Sequence, residues 1–412
     1  MVHLLDLDND ISSLLLPLLN TPALCALASS SWQGFHLAAP ALVRTIKLYR
    51  GPQQLLAFCE FTLKHHLSSH IISFSIFESA TYSQPPNDYL RGYLRNSDTD
   101  ESALFASTLA EVLEGAVNLK HLAFHKCADL IIKSEQRIAD IICHNTPVSL
   151  ELSGGCPFQR FNSISGLVGL NLDIVYPPKY AKDAEQALDT ILVYSIHTLE
   201  TLSLGHALPA NLRSEFSSHL SWPRVHYLCM TGVPLFPEQL ARPFPNLRSL
   251  EITPSLWSTI KFKAPPPDHQ IDCPSYTLWP ALHSFTGPKQ LALNLWQYHT
   301  LRRLSFWKWG SDGMYREASE LNQLSDTVRN SDLRSLSLAI DVELPADLGL
   351  SQFSTFAPLD GRMGSSNGSQ PLLDLLFSTL AQWASRLAYL CLDMADNHCL
   401  EYLVRPSYMP WA

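Results

Sequence analysis

The stretch Leu119-Lys120-His121-Leu122-Ala123-Phe124 places apolar residues at the first, fourth and sixth positions of a hexad. The same spacing returns along most of the 412-residue chain. Clear copies begin at Leu167, Leu199, Val225, Leu247, Leu301, Leu333 and Leu387, and weaker copies begin at Val43, Ile71, Val148 and Leu282. A unit that cannot bury its apolar residues alone must stack on its neighbours, so the repeat predicts a series of stacked units.

A helical pattern precedes several of the hexads. In the clearest unit, apolar residues recur at helical spacing from Leu104 to Leu113, and Gly115 is suited to ending the helix. Further helices are predicted over Glu135–Cys143, Ala184–Ile196, Leu321–Val328 and Leu372–Trp383. Helices that alternate with short strands predict an α/β fold in which right-handed crossovers build a parallel sheet.

The hexads resemble those of leucine-rich repeats, although of the turn positions after them only Cys127 fits the family's usual Asn or Cys. The resemblance implies an irregular leucine-rich-repeat solenoid over residues 47–412, with a curved parallel sheet and helices on the convex face. Its uneven period implies loop insertions near residues 82–100, 261–275 and 344–370. An ordinary doubly wound α/β domain is the alternative.

The first 46 residues differ from the repeats and predict short helices, broken at Asn20–Pro22 and near Pro40. It has apolar residues at Leu7, Ile11, Leu15, Leu19 and Leu24, an acidic Asp10, Pro22, Ser31 and a closing stretch Pro40–Ile46. At these positions the segment resembles the F-box, in the form found in fungal F-box proteins with degenerate leucine-rich repeats. The sequence departs from that motif at Asp8, Ala23 and Gly34, where a proline, an acidic residue and an aromatic are usual. A helical cap that only seals the repeats is the alternative.

The F-box resemblance implies a function in recognition. It suggests a substrate-recognition subunit of a cullin–RING (SCF-type) ubiquitin ligase, which binds a Skp-family adaptor in the cullin complex through the F-box and a target protein through the repeats. The adaptor-binding residues carried over by motif position are Leu7, Ile11, Leu15, Leu19 and Leu24. A leucine-rich-repeat scaffold with no ligase role is the alternative function.

Composition narrows the range of partners and compartments. The net charge is −9 and no run of Lys or Arg is long enough to follow a phosphate backbone, so we expect no nucleic-acid partner. Nine cysteines without paired spacing favour a reducing compartment, the cytoplasm or the nucleus. Asp6, Asp8 and Asp10 stand where a signal peptide needs positive charge, and no apolar run is long enough to cross a membrane.

No pattern in the sequence predicts catalysis, a cofactor or a metal. Ser153-Gly154-Gly155-Cys156 ends a predicted strand before Pro157 and is interpreted as a turn rather than a nucleophile. His121, His125 and Cys127, with Cys143-His144 downstream, match no standard zinc spacing. No group of residues in the sequence predicts an active site carried by the repeats, so we expect a protein that is not an enzyme.

The third and fifth hexad positions are predicted to point away from the core, onto a concave face. They carry mixed and mostly uncharged residues, which suit a protein or peptide partner. We expect target binding at Tyr227, Glu251, Arg303, Trp307, Trp309 and Tyr389, because large aromatics and arginine dominate interface hot spots. The alternative for the two tryptophans, which follow a predicted strand, is packing beneath the next loop.

Overall fold

The architecture is taken from a computed structural model of the chain. The structure describes residues 9–49, 52–77, 100–153, 161, 164–173, 188, 191–205, 221–231, 240–241, 243–253, 279–287, 301–309, 333–340, 389–394 and 400–404. The chain divides into a first unit, Met1–Val225 with Arg242–Phe244, and a second unit, His226–Ala241 with Pro245–Ala412. The predicted loop insertions near residues 82–100, 261–275 and 344–370 lie outside the described residues except for Asp100, which begins a helix. The two most C-terminal predicted helices also lie outside the described residues.

The first unit begins with a helical module. Its elements are α1 (Asn9–Leu15), a 3-10 turn (Leu16–Leu18), α2 (Thr21–Ser30) and α3 (Trp32–Leu42). The predicted break at Asn20 is confirmed, because the Asn20 side chain caps α2 by accepting a 3.0 Å hydrogen bond from the backbone N–H of Ala23. The predicted break near Pro40 is wrong. Pro40 lies inside α3, two residues before its end, and the actual break is at Ser31, whose hydroxyl caps α3.

Every hexad of the first unit coincides with a short strand. The strands are β1 (Thr45–Leu48), β2 (Ser73–Phe77), β3 (His121–His125), β4 (Ser149–Ser153), β5 (Gly169–Asp173) and β6 (Thr201–Gly205). Each strand pairs in parallel with the next, and the fourth hexad positions align, for example Leu122 with Leu150. The parallel sheet of the α/β prediction is therefore confirmed in this unit.

Helices precede β2, β3 and β4, as helix–strand units require. They are α4 (Pro52–Lys64), α5 (Asp100–Gly115), α6 (Ala128–Ser134) and α7 (Arg137–Asn145), and a 3-10 turn covers Ser68–His70. Helix α5 ends at the predicted stop, Gly115. Helix α5 packs against α4 and α7. Before β6, where a helix was predicted over 184–196, residues 191–194 are helical.

The second unit continues the strand pattern. Its strands are β7 (Tyr227–Thr231), β8 (Ser249–Thr253), β9 (Ser284–Gly287), β10 (Arg303–Trp309), β11 (Ser335–Ile340), β12 (Tyr389–Met394) and β13 (Leu400–Val404). Strands β7 to β12 pair in parallel. Strand β13 pairs antiparallel with β12. This last strand carries no hexad and was not predicted.

The hexad positions set which side chains are buried. Leu119, Leu122 and Phe124 of the reference hexad are at most 6% exposed, and the described apolar residues of the other hexads behave alike. The weak hexad before β4 is an exception, because Pro147 fills the buried first position and Val148 is 38% exposed. Among the described residues, no helix has the length and apolar character needed to cross a bilayer.

Candidate functional site

One face of each sheet is formed by the third and fifth hexad positions. Every described side chain at these positions in the second unit is half-buried or exposed, whereas its strand neighbours are buried. In the first unit this face carries small residues at the third hexad position. Ser149, Gly169 and Thr201 lie side by side on β4, β5 and β6. A Cβ atom on Gly169 would lie 3.0 Å from the Thr201 hydroxyl and 3.1 Å from the Ser149 hydroxyl. The predicted alternation is therefore confirmed for the described residues of the second unit, whereas in the first unit Gly169 and Ala123 are buried.

A row of stacked and hydrogen-bonded side chains crosses this face of the first unit. The Tyr49 ring stacks on Phe77 with centroids 4.7 Å apart, and Phe77 stacks on His125 at 4.0 Å. His125 Nδ1 lies 3.2 Å from Glu151 Oε1, and the Asn171 side-chain amide donates a 2.8 Å hydrogen bond to the same oxygen. Tyr49 directly follows β1, and the other four residues lie on β2 to β5. We call these five residues the cross-strand ladder.

Electrostatics within the ladder favour a neutral His125. Burial lowers the pKa of His125, and the negative charge of Glu151 opposes that shift without cancelling it. At neutral pH the 3.2 Å contact therefore joins a neutral imidazole to a charged carboxylate and is not an ion pair. The stacked rings and the carboxylate together offer an aromatic surface beside a hydrogen-bond acceptor.

In the second unit the structure brings two of the predicted target-binding residues together. The Tyr227 hydroxyl donates a 2.8 Å hydrogen bond to Glu251 Oε2 on the neighbouring strand. Burial is the largest cause that raises the pKa of Tyr227, followed by this hydrogen bond and the charge of Glu251. Arg303 is exposed on β10, in the same register row as Tyr227 but three strands away, a separation of roughly 14 Å.

The remaining predicted target-binding residues are Trp307, Trp309 and Tyr389. The tryptophans were predicted just after a strand, but β10 extends through both, with a register irregularity against β11 between Phe306 and Trp309. Tyr389 begins β12 and pairs with Ser335. Their side chains lie outside the described part of the chain, so their role in target binding stays a prediction.

The structure also groups residues that the sequence analysis overlooked. Arg248, His283, Arg302 and Arg334 occupy the second position of four successive hexads and are all exposed. We call these four residues the basic row. The signal was present in the sequence, because a basic residue directly follows the first apolar residue of each of these four hexads. Likewise, Tyr49, Phe77 and His125 each follow directly after a hexad.

The helical module has its own core and an exposed apolar stripe. Leu16, Leu24 and Ala38 form the core, and Leu19, Leu27, Ala28, Leu37, Ala41 and Leu42 pack against it. On the outside, Ile11, Leu14 and Leu18 are 45%, 73% and 79% exposed. Spacings of three and four residues place them on one side of the helical segment. We call Ile11, Leu14 and Leu18 the apolar stripe.

The predicted adaptor-binding residues therefore occupy different environments. Ile11 belongs to the apolar stripe, and Leu15 is half-buried. Leu19 packs against the module core, and Leu24 lies within it at 7% exposure. Leu7 lies outside the described residues. The exposed leucines of the stripe, Leu14 and Leu18, were not among the predicted residues, because a motif of hydrophobic spacing does not separate core from surface leucines.

Residues suspected of chemistry have structural roles. The Ser153 hydroxyl is buried and accepts a 2.5 Å hydrogen bond from the backbone N–H of Lys126, which has a positive φ of 63°. Cys127 is buried at the start of α6. Among the residues that the structure describes, no group of three or more His, Cys, Asp or Glu side chains could hold a metal ion.

Comparison with known proteins adds no relative to this picture. No family model matches the chain, and no curated protein matches its sequence.

Proposed function

We propose that this chain is a substrate-recognition subunit of a cullin–RING ubiquitin ligase, acting in the cytoplasm or nucleus. In this proposal the helical module binds a Skp-family adaptor and the strand faces bind a target protein. The observation that carries it is the apolar stripe of Ile11, Leu14 and Leu18 on a module that precedes a repeat-like parallel sheet.

The stripe supports a docking role because its side chains lie outside the module core. The core of Leu16, Leu24 and Ala38 forms on the other positions of the helices. Two of the three stripe residues are more than two thirds exposed. Adjacent exposed apolar side chains are unfavourable in water and typically mark a protein interface. A partner helix with apolar residues would cover them.

Contacts between α3 and α4 support a fixed placement of the module on the first unit. Phe35 of α3 meets Phe61 of α4 at a centroid distance of 6.1 Å and His65 at 5.0 Å. Trp32, 69% exposed at the start of α3, stacks on Phe35 at 5.8 Å. An adaptor bound to the module would thus be held in a defined orientation to the strands of this unit.

The chain itself would carry out no bond chemistry in this function. A receptor of this kind binds the target and the adaptor at once, which raises the effective concentration of the target beside the ubiquitin-charged enzyme. The requirements are two separate binding surfaces and a defined connection between them. In this proposal the apolar stripe supplies the adaptor surface and the strand faces supply the target surface.

Co-purification of the full chain with a Skp-family adaptor tests the proposal. The wild-type chain should retain the adaptor, and the triple variant Ile11→Asp, Leu14→Asp, Leu18→Asp should lose at least about tenfold in affinity. The matched control replaces two exposed apolar residues elsewhere in the first unit, Val117→Asp and Tyr194→Asp, and should bind as the wild type does.

The outcomes separate the two candidate functions. A wild-type chain that fails to retain the adaptor would favour the alternative, a leucine-rich-repeat scaffold with no ligase role. Undiminished retention by the stripe variant would place the adaptor surface elsewhere and would remove the observation on which the proposal stands.

A further inference from the structure

The basic row follows one line across the second unit. The backbone N–H of His283 donates to the Arg248 carbonyl at 3.0 Å, that of Arg302 to the His283 carbonyl at 2.8 Å, and that of Arg334 to the Arg302 carbonyl at 2.9 Å. The four residues therefore enter neighbouring strands at the same level. Because paired strands lie about 4.8 Å apart, the row from Arg248 to Arg334 spans roughly 14 Å.

The positive charge of the row is not balanced within the described part of the second unit. Among the side chains described there, Glu251 is the one carboxylate, and it is held by the Tyr227 hydroxyl. Arg303, next to Arg302, adds a further exposed cation. The first unit differs, because its exposed Arg224 lies 3.3 Å from Glu200.

The pKa of His283 reflects the positive charge of the neighbouring arginines. Partial burial is the largest cause that lowers the pKa of His283, and the charges of Arg302, Arg248 and Arg303 lower it further. These arginines lie on both sides of His283 in the row. Each neighbouring strand lies about 4.8 Å from that of His283, which is less than the screening length of about 8 Å at physiological salt, so the arginine fields add at the imidazole. The row is thus a line of like charges, and a bound anionic partner would reduce the repulsion between them.

We propose that the basic row binds an acidic stretch of another protein chain, in an extended conformation with carboxylates on alternate residues. An extended chain rises about 3.3 Å per residue, so three alternate carboxylates span roughly 13 Å and match the row. Each arginine can bind a carboxylate through two parallel hydrogen bonds. The charges lie along a line instead of converging on a point, which fits a chain better than a small anion.

The net charge of −9 argues against a nucleic acid in this position. A polyanion with a charge at every step would be repelled by most of the protein and would need a longer basic track than four residues. A peptide with a few carboxylates needs only the row. Binding here requires neither the adaptor nor the apolar stripe. This proposal is therefore independent of the proposed ligase function.

The test uses the full chain and a labelled peptide with Glu at alternate positions, measured by fluorescence polarisation. The matched probes are the same peptide with Gln in place of Glu, and with phosphoserine in place of Glu. We expect the Glu peptide to bind, more weakly as salt rises, and the Gln peptide not to bind. The variant Arg248→Gln, Arg302→Gln, Arg334→Gln should bind it about tenfold less tightly. Arg224→Gln is the control and should bind as the wild type does.

A second measurement uses the wild-type protein, so it does not depend on the folding of a variant. Saturation with the Glu peptide should raise the pKa of His283, followed by NMR, because a bound anion offsets the arginine charges. The proposal is overturned if the Glu peptide does not bind, if the triple arginine variant binds it equally well, or if the pKa of His283 does not rise. Binding of the phosphorylated peptide alone, or displacement of the Glu peptide by equimolar single-stranded DNA, would also overturn the assignment to a carboxylate-bearing chain.

Discussion

The imidazole of His125 lies flat on the ring of Phe77, with centroids 4.0 Å apart and planes 12° from parallel. The two residues are register partners at the ends of neighbouring parallel strands, β2 and β3. This stacking withdraws His125 from water while Glu151 lies 3.2 Å from Nδ1 on its other side. The titration of one histidine therefore reports on both contacts.

Glu151→Gln should lower the pKa of His125 further, because it removes the charge that opposes burial. In the wild type the pKa is already below its ordinary value of 6.5, so the unfolded chain binds the proton first as pH falls. Stability should therefore decrease as pH falls from about 6.5 through the folded-state pKa. NMR titration of histidine-labelled protein measures the pKa, with His125→Gln to assign the signal. Glu200→Gln should leave it unchanged, and an upward shift in Glu151→Gln would contradict the contact.

Tyr227→Phe should destabilise the second unit by about 1 kcal/mol, because Glu251 loses a hydrogen-bond donor on a half-buried face. Urea denaturation measures the change, and a double-mutant cycle with Glu251→Gln isolates the pair. The raised pKa of Tyr227 means that the unfolded chain ionises first, so wild-type stability should fall as pH rises past the ordinary value of 10.0. A coupling near zero in the cycle would contradict the hydrogen bond.

Trp222→Phe should destabilise the first unit by about 2 kcal/mol. The Trp222 indole is 3% exposed, stacks on Phe244 at 5.6 Å, and donates a 2.9 Å hydrogen bond from Nε1 to the Leu192 carbonyl. Phenylalanine leaves a small cavity and a carbonyl without this donor. Thermal or urea unfolding followed by circular dichroism measures the change. The exposed Tyr194→Phe should change stability by less than about 0.5 kcal/mol, and equal effects of the two variants would contradict the buried indole.

The sequence predicts the strands well because alternate burial on a sheet leaves a direct pattern. Every hexad coincides with a strand, and Gly115 marks the end of α5. Helix α6 was missed because its seven residues follow a strand directly, without a long periodic stretch. Strand β13 was missed because an antiparallel return depends on pairing with β12, which no local pattern specifies.

The candidate sites were harder to predict for a physical reason. Tyr227 and Glu251 were expected on one face and do meet there. The basic row escaped attention because the alternation argument selects third and fifth hexad positions, whereas Arg302 and its partners precede the strands proper. In the helical module, Leu24 in the core and Leu18 on the surface satisfy the same hydrophobic spacing. Only the packing of α2 on α3 separates them.

Gly34→Ala tests that packing. A Cβ atom on Gly34 would overlap the carbonyl oxygen of Leu27 and lie 2.9 Å from the Ser30 hydroxyl. No side chain fits there unless α2 or α3 shifts. Overpacking of this kind costs about 1–3 kcal/mol. Hydrogen exchange over α2 and α3 should therefore accelerate in the variant. Under the proposed function, in which the helical module binds a Skp-family adaptor, retention of the adaptor should weaken with it.

The matched control for Gly34 is its exposed neighbour in the same helix, Gln33→Ala, which favours helix slightly. It should exchange as slowly as the wild type does. Unchanged exchange in Gly34→Ala would mean that α2 and α3 stand further apart than the structure places them. Faster exchange with undiminished adaptor retention would mean that adaptor binding does not need the packed module. The apolar stripe, on α1 and the turn after it, would then bind the adaptor without support from α2 and α3.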